Sequence, residues 1–189
     1  MGMEGNDAAM VARARAGDAE AFQTLVEGHA RAVFRLAYRM TGNEHDAEDV
    51  VQEAFLKAYR SLGQFEDRAH FGSWLHRITA NCAFDLLRGR KRRPHMVSTS
   101  EDEDLPMEIP SGSPGPERLA LSSEVRRRVE GGLGRLTEME RSAFVLRHFE
   151  GLSIEEIGSV LGTDTNATKS SVFRAVRKMR RALEPIGGA

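Results

Sequence analysis

The sequence has few of the residues that cross-link a protein or anchor it in a membrane. One cysteine among 189 residues can form neither an intramolecular disulfide nor a cysteine-rich zinc cluster. No apolar run approaches the roughly 20 residues that a bilayer span needs. The first ten residues, MGMEGNDAAM, lack the basic and then apolar pattern of a signal peptide. We therefore expect a cytoplasmic protein without membrane insertion.

Motifs of common catalytic and metal sites are also missing. The sequence contains no Walker loop, no GxGxxG and no GxSxG. Its six histidines show no HExxH or other close metal-ligand spacing. Cys82 falls on an apolar helix face, where a small core residue is expected rather than a nucleophile. The sequence thus indicates no enzyme, no cofactor and no metal site.

Proline and charge divide the chain into three parts. Five of the six prolines fall between residues 94 and 116, in a stretch that is also rich in serine, glycine and acid. Such a composition predicts a flexible acidic linker over 95–116 between two small domains, 7–94 and 117–185. The net charge of −1 is a cancellation, because residues 7–94 carry +2, residues 95–120 carry −5 and residues 121–189 carry +3, and Glu4 completes the sum.

Both domains are predicted to be helical. Apolar residues recur at spacings of three and four from Asp18 to Met40, from Asp46 to Leu62 and from Phe71 to about Arg92. In the second domain, Thr137 and Ser153 are each followed three residues later by glutamate, which is the spacing of a capping box. No segment alternates apolar and polar residues, so the fold class is all-α.

The last third of the chain predicts a helix-turn-helix. A short amphipathic helix from Ser153 to Leu161 is followed by Gly162, and Asp164 or Thr165 can cap a second helix running to about Leu183. That second helix carries six basic residues and no acid from Lys169 onward, with Ser170 and Ser171 suited to base edges or phosphates. The alternative, a solvated basic face on an ordinary helix, is disfavoured by the glycine turn and the capping box.

Two further charged segments suggest partners. The basic run from Arg88 to Arg93 follows aromatic residues around a loop at 63–72, a combination that suits unstacked bases of single-stranded nucleic acid. Trp74, however, also lies on an apolar stripe and fits a core position equally well. The acidic face of Asp46, Asp49 and Glu53 suits a basic protein surface, or is merely a solubilising face.

Two long segments resemble one family. The run DAEDVVQEAFLKAYRSL from Asp46 to Leu62, with F-x-x-W-L-x-x-I-x-x-N-x-x-x-D-x-x-R from Phe71 to Arg88, resembles region 2 of the bacterial sigma-70 family of RNA polymerase sigma factors. The run LRHFEGLSIEEIGSVLGTDTNATKSSVFRA from Leu146 to Ala175 is similar to region 4. Both regions in this order, joined by a short linker, resemble the layout of the extracytoplasmic-function (ECF) subgroup.

The resemblance implies a function. The protein would bind core RNA polymerase and direct promoter recognition and DNA melting, while the polymerase does the chemistry. The partners implied are the β′ clamp coiled coil and the β flap of the polymerase, promoter DNA with -35 and -10 elements, and an anti-sigma factor. The residues expected to bind core polymerase are Asp46, Asp49, Gln52 and Glu53.

Two sets of DNA-binding residues follow from the same resemblance. One would hold the melted strand of the -10 element, with a base flipped into a loop pocket, and neighbouring phosphates. It comprises Lys57, Ser61, Phe65, Glu66, Asp67, Arg68, Ala69, His70, Phe71, Trp74, Arg77, Asn81, Arg88, Arg90, Lys91 and Arg92. The other would read the -35 element in the major groove, and comprises Lys169, Ser170, Phe173, Arg174 and Arg177.

Departures from the family pattern concern promoter specificity. Asp164, Asn166, Ala167 and Ser171 stand where proline, glycine, threonine and arginine are common in the family, so the -35 sequence cannot be copied from relatives. Two other classes of protein remain as alternatives. A free-standing helix-turn-helix regulator would bind duplex DNA tightly without polymerase, and an adaptor that only captures an anti-sigma factor would not support transcription.

Overall fold

Helix ends in the first half of the chain are fixed by side-chain caps and by one glycine. A computed structural model of the chain describes residues 3–65, 70–92 and 116–183. Asp18 accepts a hydrogen bond from the Ala21 amide at 3.1 Å, and Gly42 ends the same helix with a φ of 70°. The elements of this half are α1 (Met3–Arg15), α2 (Ala19–Thr41), α3 (Glu44–Ser61), a 3-10 helix (Leu62–Gln64) and α4 (Phe71–Arg92).

The core of the N-terminal half lies between α2, α3 and α4. Each of these helices packs against the other two, and α1 lies against α2. Four residues on the faces that the apolar spacing predicted are fully buried there, namely Leu25, Met40, Val50 and Leu75, and Leu36 is buried with them. The packing holds α3 and α4 side by side, with a groove between their outer faces.

The C-terminal half is smaller and its helices are shorter. It consists of α5 (Pro116–Gly134), α6 (Glu138–His148), α7 (Ile154–Leu161) and α8 (Thr165–Leu183). Both predicted capping boxes are confirmed, because the Thr137 and Ser153 hydroxyls accept from the amides of Glu140 and Glu156, whose carboxylates accept in return. α8 packs against α5, α6 and α7.

The two halves contact each other along α2 and α4 on one side and α6 and α7 on the other. His76 donates a hydrogen bond to Glu150 at 2.6 Å. Arg77 forms an ion pair with Glu156, and the Arg39 guanidinium lies 4.2 Å from the ring centroid of Phe149. These three contacts are ionic or aromatic, and each of their side chains keeps some exposure to solvent. The contact also has an apolar part, because the buried apolar residues of the two halves form one cluster.

The all-α fold class is confirmed within the described ranges, where no strand occurs. None of the helices in that part of the chain is long and apolar enough to cross a membrane. Most of the predicted linker, 95–115, lies outside the described residues. α5 begins at Pro116, the last residue of the predicted linker, a residue type whose fixed φ suits the first turn of a helix.

Candidate nucleic-acid interface

A tight turn joins α7 to α8. Gly162 adopts a φ of 60°, which a residue with a Cβ rarely takes. Asp164 then accepts hydrogen bonds from the amides of Asn166 and Ala167 at 2.8 and 2.9 Å. Of the two predicted caps, the structure therefore uses Asp164. At Gly158 a Cβ would lie 2.8 Å from the Thr163 carbonyl oxygen, so α7 approaches the turn as closely as glycine allows.

The outer face of α8 collects the residues predicted for the -35 element. All five are exposed, at spacings that place them on one side of the helix: Lys169, Ser170, Phe173, Arg174 and Arg177. Phe173 is 69% exposed, more than any other large apolar side chain in the described part of the chain. Such a residue contributes little to the core, and it lies on one exposed face with three basic side chains and a serine.

Ser171 does not belong to that face. Its side chain is buried and its hydroxyl donates to the Ala167 carbonyl at 2.9 Å. The prediction that Ser171 is suited to bases or phosphates is therefore wrong, because position 171 faces inward, together with Thr168 and Ala175.

Glu140 of α6 contacts two basic side chains of α8, a role that the sequence did not predict. Its carboxylate lies 2.6 Å from the Lys178 ammonium and 3.4 Å from Nε of Arg174, and only 4% of the residue is exposed. Burial alone would raise the pKa of Glu140, but the bonds from Lys178 and from the Thr137 amide lower it overall. The capping box was the only sequence signal at this residue.

The outer side of α3 bears the acidic surface. Asp49, Gln52 and Glu53 are all exposed, and Leu56 beside them is 48% exposed. A groove of about 390 Å³ runs between this face and α4, with Asp85 on its far side. The groove therefore combines three carboxylates, those of Asp49, Glu53 and Asp85, with the exposed apolar side chain of Leu56.

Asp46 is not part of the acidic surface, although the sequence placed it there. It lies in the first turn of α3, is 2% exposed and forms an ion pair with Arg90 of α4. Burial raises the pKa of Asp46 in spite of the neighbouring Arg90. Its role is to tie α3 to α4, and a direct contact with polymerase does not fit its burial.

The residues predicted for the -10 element fall into three groups. Phe65 and Phe71 are buried, at 5% and 3% exposure, with ring centroids 5.9 Å apart. Their prediction as DNA contacts is corrected, because they pack on each other and on Trp74. Residues 66–69 and the side chains of Lys91 and Arg92 lie outside the described part. The remaining members are exposed or half-buried: Lys57, Ser61, His70, Trp74, Arg77, Asn81, Arg88 and Arg90.

Lys57 stands at the edge of the groove between α3 and α4. It pairs with Glu53 at 3.5 Å and lies against the thiol of Cys82. Burial raises the pKa of Cys82, and Lys57 only partly opposes that shift. Cys82 is thus the core residue that its apolar position predicted. Among the described residues, no group of three His, Cys, Asp or Glu side chains is placed to hold a metal ion.

Family models match the chain in both halves. The model of sigma-70 region 2 matches residues 25–93, and that of sigma-70 region 4 matches residues 126–179. The chain therefore belongs to the sigma-70 family of RNA polymerase sigma factors. Within that family it is a member of the ECF subgroup, as its curated relatives indicate.

Those relatives match over most of the chain. The RNA polymerase sigma-H factor of Pseudomonas aeruginosa is 37% identical over 187 residues, with 95% of each chain covered. The ECF RNA polymerase sigma-E factor of Escherichia coli is 36% identical over 185 residues, again with 95% of each covered. The ECF RNA polymerase sigma factor SigE of Mycolicibacterium smegmatis is 40% identical over 159 residues, which cover 84% of this chain but 60% of that relative.

Solved structures show the same fold. CnrH in complex with the cytosolic domain of CnrY matches with a TM-score of 0.57 and 29% identity, covering 95% of this chain and 98% of that one. The sigma factor RpoE bound to the anti-sigma factor NepR, from Bartonella quintana, matches with a TM-score of 0.61 over 86% and 96%. Its identity of 21% makes it similar in fold alone.

Proposed function

We propose that this ECF sigma factor binds core RNA polymerase and directs it to promoters that carry -35 and -10 elements. The chain supplies recognition and the polymerase supplies the chemistry, so the chain is not itself an enzyme and acts in the cytoplasm. The two recognition domains are 7–94 and 117–185, joined by the acidic segment 95–116. The observation that carries the proposal is the exposed basic and aromatic face of α8, on the second helix of a helix-turn-helix.

In the -35 element, α8 lies in the major groove. Lys169 and Arg174 donate hydrogen bonds to guanine edges or phosphates, and the Ser170 hydroxyl can bond to the same two kinds of group. Phe173 offers an apolar surface to thymine methyl groups, which explains why so exposed a phenylalanine is present. Arg177, one turn further along α8, is placed for the DNA backbone.

At the -10 element, the exposed side of α4 and the end of α3 hold the separated strand. Arg88 supplies positive charge on α4, and Arg77 and Arg90 add to it because their side chains are 56% exposed although they pair with Glu156 and Asp46. Asn81 supplies donors and acceptors for base edges. Unstacking costs a few kcal/mol per flipped base, which contacts of this kind offset without ATP.

The acidic surface of Asp49, Gln52 and Glu53, with the exposed Leu56 beside it, docks on the β′ clamp coiled coil. Relatives in solved structures are bound to an anti-sigma factor or to the cytosolic domain of another protein. We extend this to the present chain, and an anti-sigma factor that covers these same surfaces is its expected negative regulator.

In vitro transcription with purified core polymerase tests the proposal. Addition of the chain should produce promoter-specific transcripts from a random promoter library, and Lys169→Ala with Arg174→Ala should abolish selection of the -35 element. Arg127→Ala with Arg135→Ala removes the same charge from exposed positions outside α8 and should leave -35 selection intact. The proposal is refuted if the same transcripts are made with and without the chain. Tight binding of the chain to duplex DNA in the absence of polymerase would instead favour a free-standing regulator.

A further inference from the structure

Asn166 lies on the exposed face of α8, although it is not among the five residues predicted to read the -35 element. It stands in the first turn of α8 and is exposed. Ser170, Phe173 and Arg177 follow it by four, seven and eleven residues, which are the spacings of one helix face. The exposed face therefore begins one turn earlier than the predicted set, and its first member is an uncharged carboxamide.

The carboxamide of Asn166 has no structural task within the described part of the chain. It forms no hydrogen bond there, whereas the carboxamide oxygen of Asn43 accepts from the Asp46 amide and caps α3. The backbone amide of Asn166 is held separately, by the Asp164 carboxylate at 2.8 Å. Replacing the side chain of Asn166 thus leaves the start of α8 intact, and both polar atoms of the carboxamide can bond to a partner.

Asp164 keeps phosphate away from the same end of α8. One oxygen of its carboxylate accepts from the amides of both Asn166 and Ala167, at 2.8 and 2.9 Å. Those amides are among the donors with which the first turn of a helix binds a phosphate. They are already bonded here, and the negative charge of Asp164 repels a phosphate in addition. The first turn of α8 is therefore suited to base edges in a groove rather than to the DNA backbone.

The hydrogen-bonding pattern of a carboxamide matches one base. Its nitrogen donates and its oxygen accepts, so it forms two hydrogen bonds at once where a base edge offers an acceptor beside a donor. In the major groove adenine presents that pair, through N7 and its 6-amino group, whereas guanine presents two acceptors. Residues at the start of the second helix of a helix-turn-helix are those that reach base edges. Asn166 has both the position and the chemistry for this contact.

We propose that Asn166 determines specificity at the -35 element by reading an adenine in the major groove. This inference rests on the proposed function and adds one base contact to those of the five residues that the resemblance implied. Glycine is common in the family at this position, and glycine has no side chain with which to make the contact. The preference for adenine thus comes from a residue at which this chain departs from the family pattern.

The test is transcription by polymerase holoenzyme from a promoter library in which the -35 element is randomised. The frequency of each base at each position among the transcribed promoters is measured for the wild type and for Asn166→Ala. At one -35 position the wild type should favour adenine, and Asn166→Ala should reduce that preference about tenfold, since a bidentate contact discriminates between bases by that order. Gln23→Ala, which removes a carboxamide from an exposed position on α2, should select the same bases as the wild type.

A second substitution tests the hydrogen-bonding pattern itself. Asn166→Asp keeps the shape of the side chain but leaves only acceptors. At the same -35 position it should lose the preference for adenine and favour cytosine, whose 4-amino group donates in the major groove. Both variants should keep the bases selected at the other -35 positions and at the -10 element, because the carboxamide of Asn166 supports no other contact among the described residues.

The same experiment keeps the two proposals apart. If the wild type selects no -35 sequence, the proposed function is wrong and the role of Asn166 falls with it. If the wild type selects a -35 sequence and Asn166→Ala selects every base as strongly, only the role of Asn166 is wrong. That role is also wrong if the affected position favours a base other than adenine, or if Asn166→Asp keeps the preference for adenine. Equal losses at all -35 positions in Asn166→Ala would overturn it as well, because they indicate support of α8 rather than the reading of one base.

Discussion

The two halves of the molecule present their candidate DNA contacts in opposite ways. In the C-terminal half the five candidates stand on the outer face of α8, and the core of that half uses the opposite face. In the N-terminal half the candidates are mixed with residues that hold the fold, such as Phe65, Phe71 and Asp46. The difference teaches that substitutions on α8 report recognition, whereas many substitutions around α4 report folding as well.

The physical origin of this difference is the kind of DNA that each half is proposed to bind. A duplex groove accepts a preformed helix, so one exposed face is sufficient and the rest of the domain need only hold the helix. A separated strand needs a concave, anchored surface, and aromatic residues that build such a surface are themselves partly core. Burial and recognition are thus coupled in the N-terminal half.

The largest difference in unfolding free energy is expected between alanine variants of two phenylalanines, one in each half. Phe71→Ala should cost about 3 to 5 kcal/mol of unfolding free energy, because it leaves a cavity among His29, Phe65 and Trp74. Phe173→Ala should change stability by less than about 0.5 kcal/mol, since its ring is largely in solvent. Urea unfolding followed by the fluorescence of Trp74, the only tryptophan, measures the first, and circular dichroism measures the second.

Equal losses of unfolding free energy in these two variants would contradict the difference between the halves, namely that the candidates on α8 do not hold the fold whereas those around α4 do. Phe173→Ala should instead weaken -35 selection in transcription assays while the chain stays folded. A loss of -35 selection in Phe71→Ala at a temperature where the variant is folded would likewise count against separate roles.

Each half contains one buried carboxylate whose pKa is shifted, Glu140 in the C-terminal half and Asp46 in the N-terminal half. Removing the charge should change the unfolding free energy more at Glu140. Glu140→Gln keeps the side-chain volume but loses the charge that faces Lys178, and should destabilise the C-terminal half by about 2 kcal/mol at pH 7. The folded pKa of Glu140 is lowered, so its contribution is present above the ordinary glutamate value of 4.5 and is lost as pH falls through the folded pKa.

Hydrogen exchange of α6 and α8 at pH 7 and at about pH 4 measures this effect. The difference between Glu140→Gln and the wild type should shrink at the lower pH. A difference that stays constant with pH would show that the carboxylate acts through packing rather than charge. Glu138→Gln, at a more exposed position in the same helical turn, is the control.

At Asp46, removing the charge should leave the unfolding free energy unchanged or raise it, by less than the loss expected at Glu140. Burial raises the folded pKa of Asp46, so the charged form carries a cost at neutral pH that disappears below the ordinary aspartate value of 3.8. Asp46→Asn should therefore leave the N-terminal half as stable as the wild type at pH 7 or more stable by up to about 1 kcal/mol. Urea unfolding by Trp74 fluorescence measures it, and a clear loss of stability would mean that the ion pair with Arg90 outweighs the burial of the charge.

Much of the fold could be predicted from spacing and caps. Asp18 and Phe71 marked the starts of their segments to within one residue, and the capping boxes at Thr137 and Ser153 are formed as predicted. Local signals are sufficient here because helix caps involve residues three apart. α1 was missed, since its apolar residues show no helical period and its partners lie far along the chain.

The candidate site was predictable only where function depends on one helix. The resemblance to region 4 supplied the five residues on the face of α8, and four of them carry the charge or hydroxyl for which the residue pattern of that helix had also singled them out. The ion pair of the buried Asp46 is with Arg90, 44 residues away, and that of Arg174 is with Glu140 of another helix. Contacts between helices leave no local pattern, so these roles required the structure.

The contact between the two halves is expected to add the least to stability and to open when the protein binds a promoter. The -35 and -10 elements are separated by about 25 base pairs, or about 85 Å of duplex at 3.4 Å per base pair. The contact between α4 and α7 places the halves too close to engage both elements at once, whereas residues 93–115 can span up to about 80 Å when extended. Promoter binding should therefore separate the halves.

Energy transfer between dyes on exposed residues of α2 and α8 measures that separation. Transfer should fall when core polymerase and promoter DNA are added together. In the free chain, Glu150→Ala removes the bond to His76 and should lower transfer slightly, because a pair of this kind contributes about 1 kcal/mol or less. Glu155→Ala removes an exposed carboxylate of α7 and should leave transfer unchanged. Undiminished transfer in the complete promoter complex would mean that the contacting halves bind DNA as one unit, and would remove the reason for treating their recognition surfaces as independent.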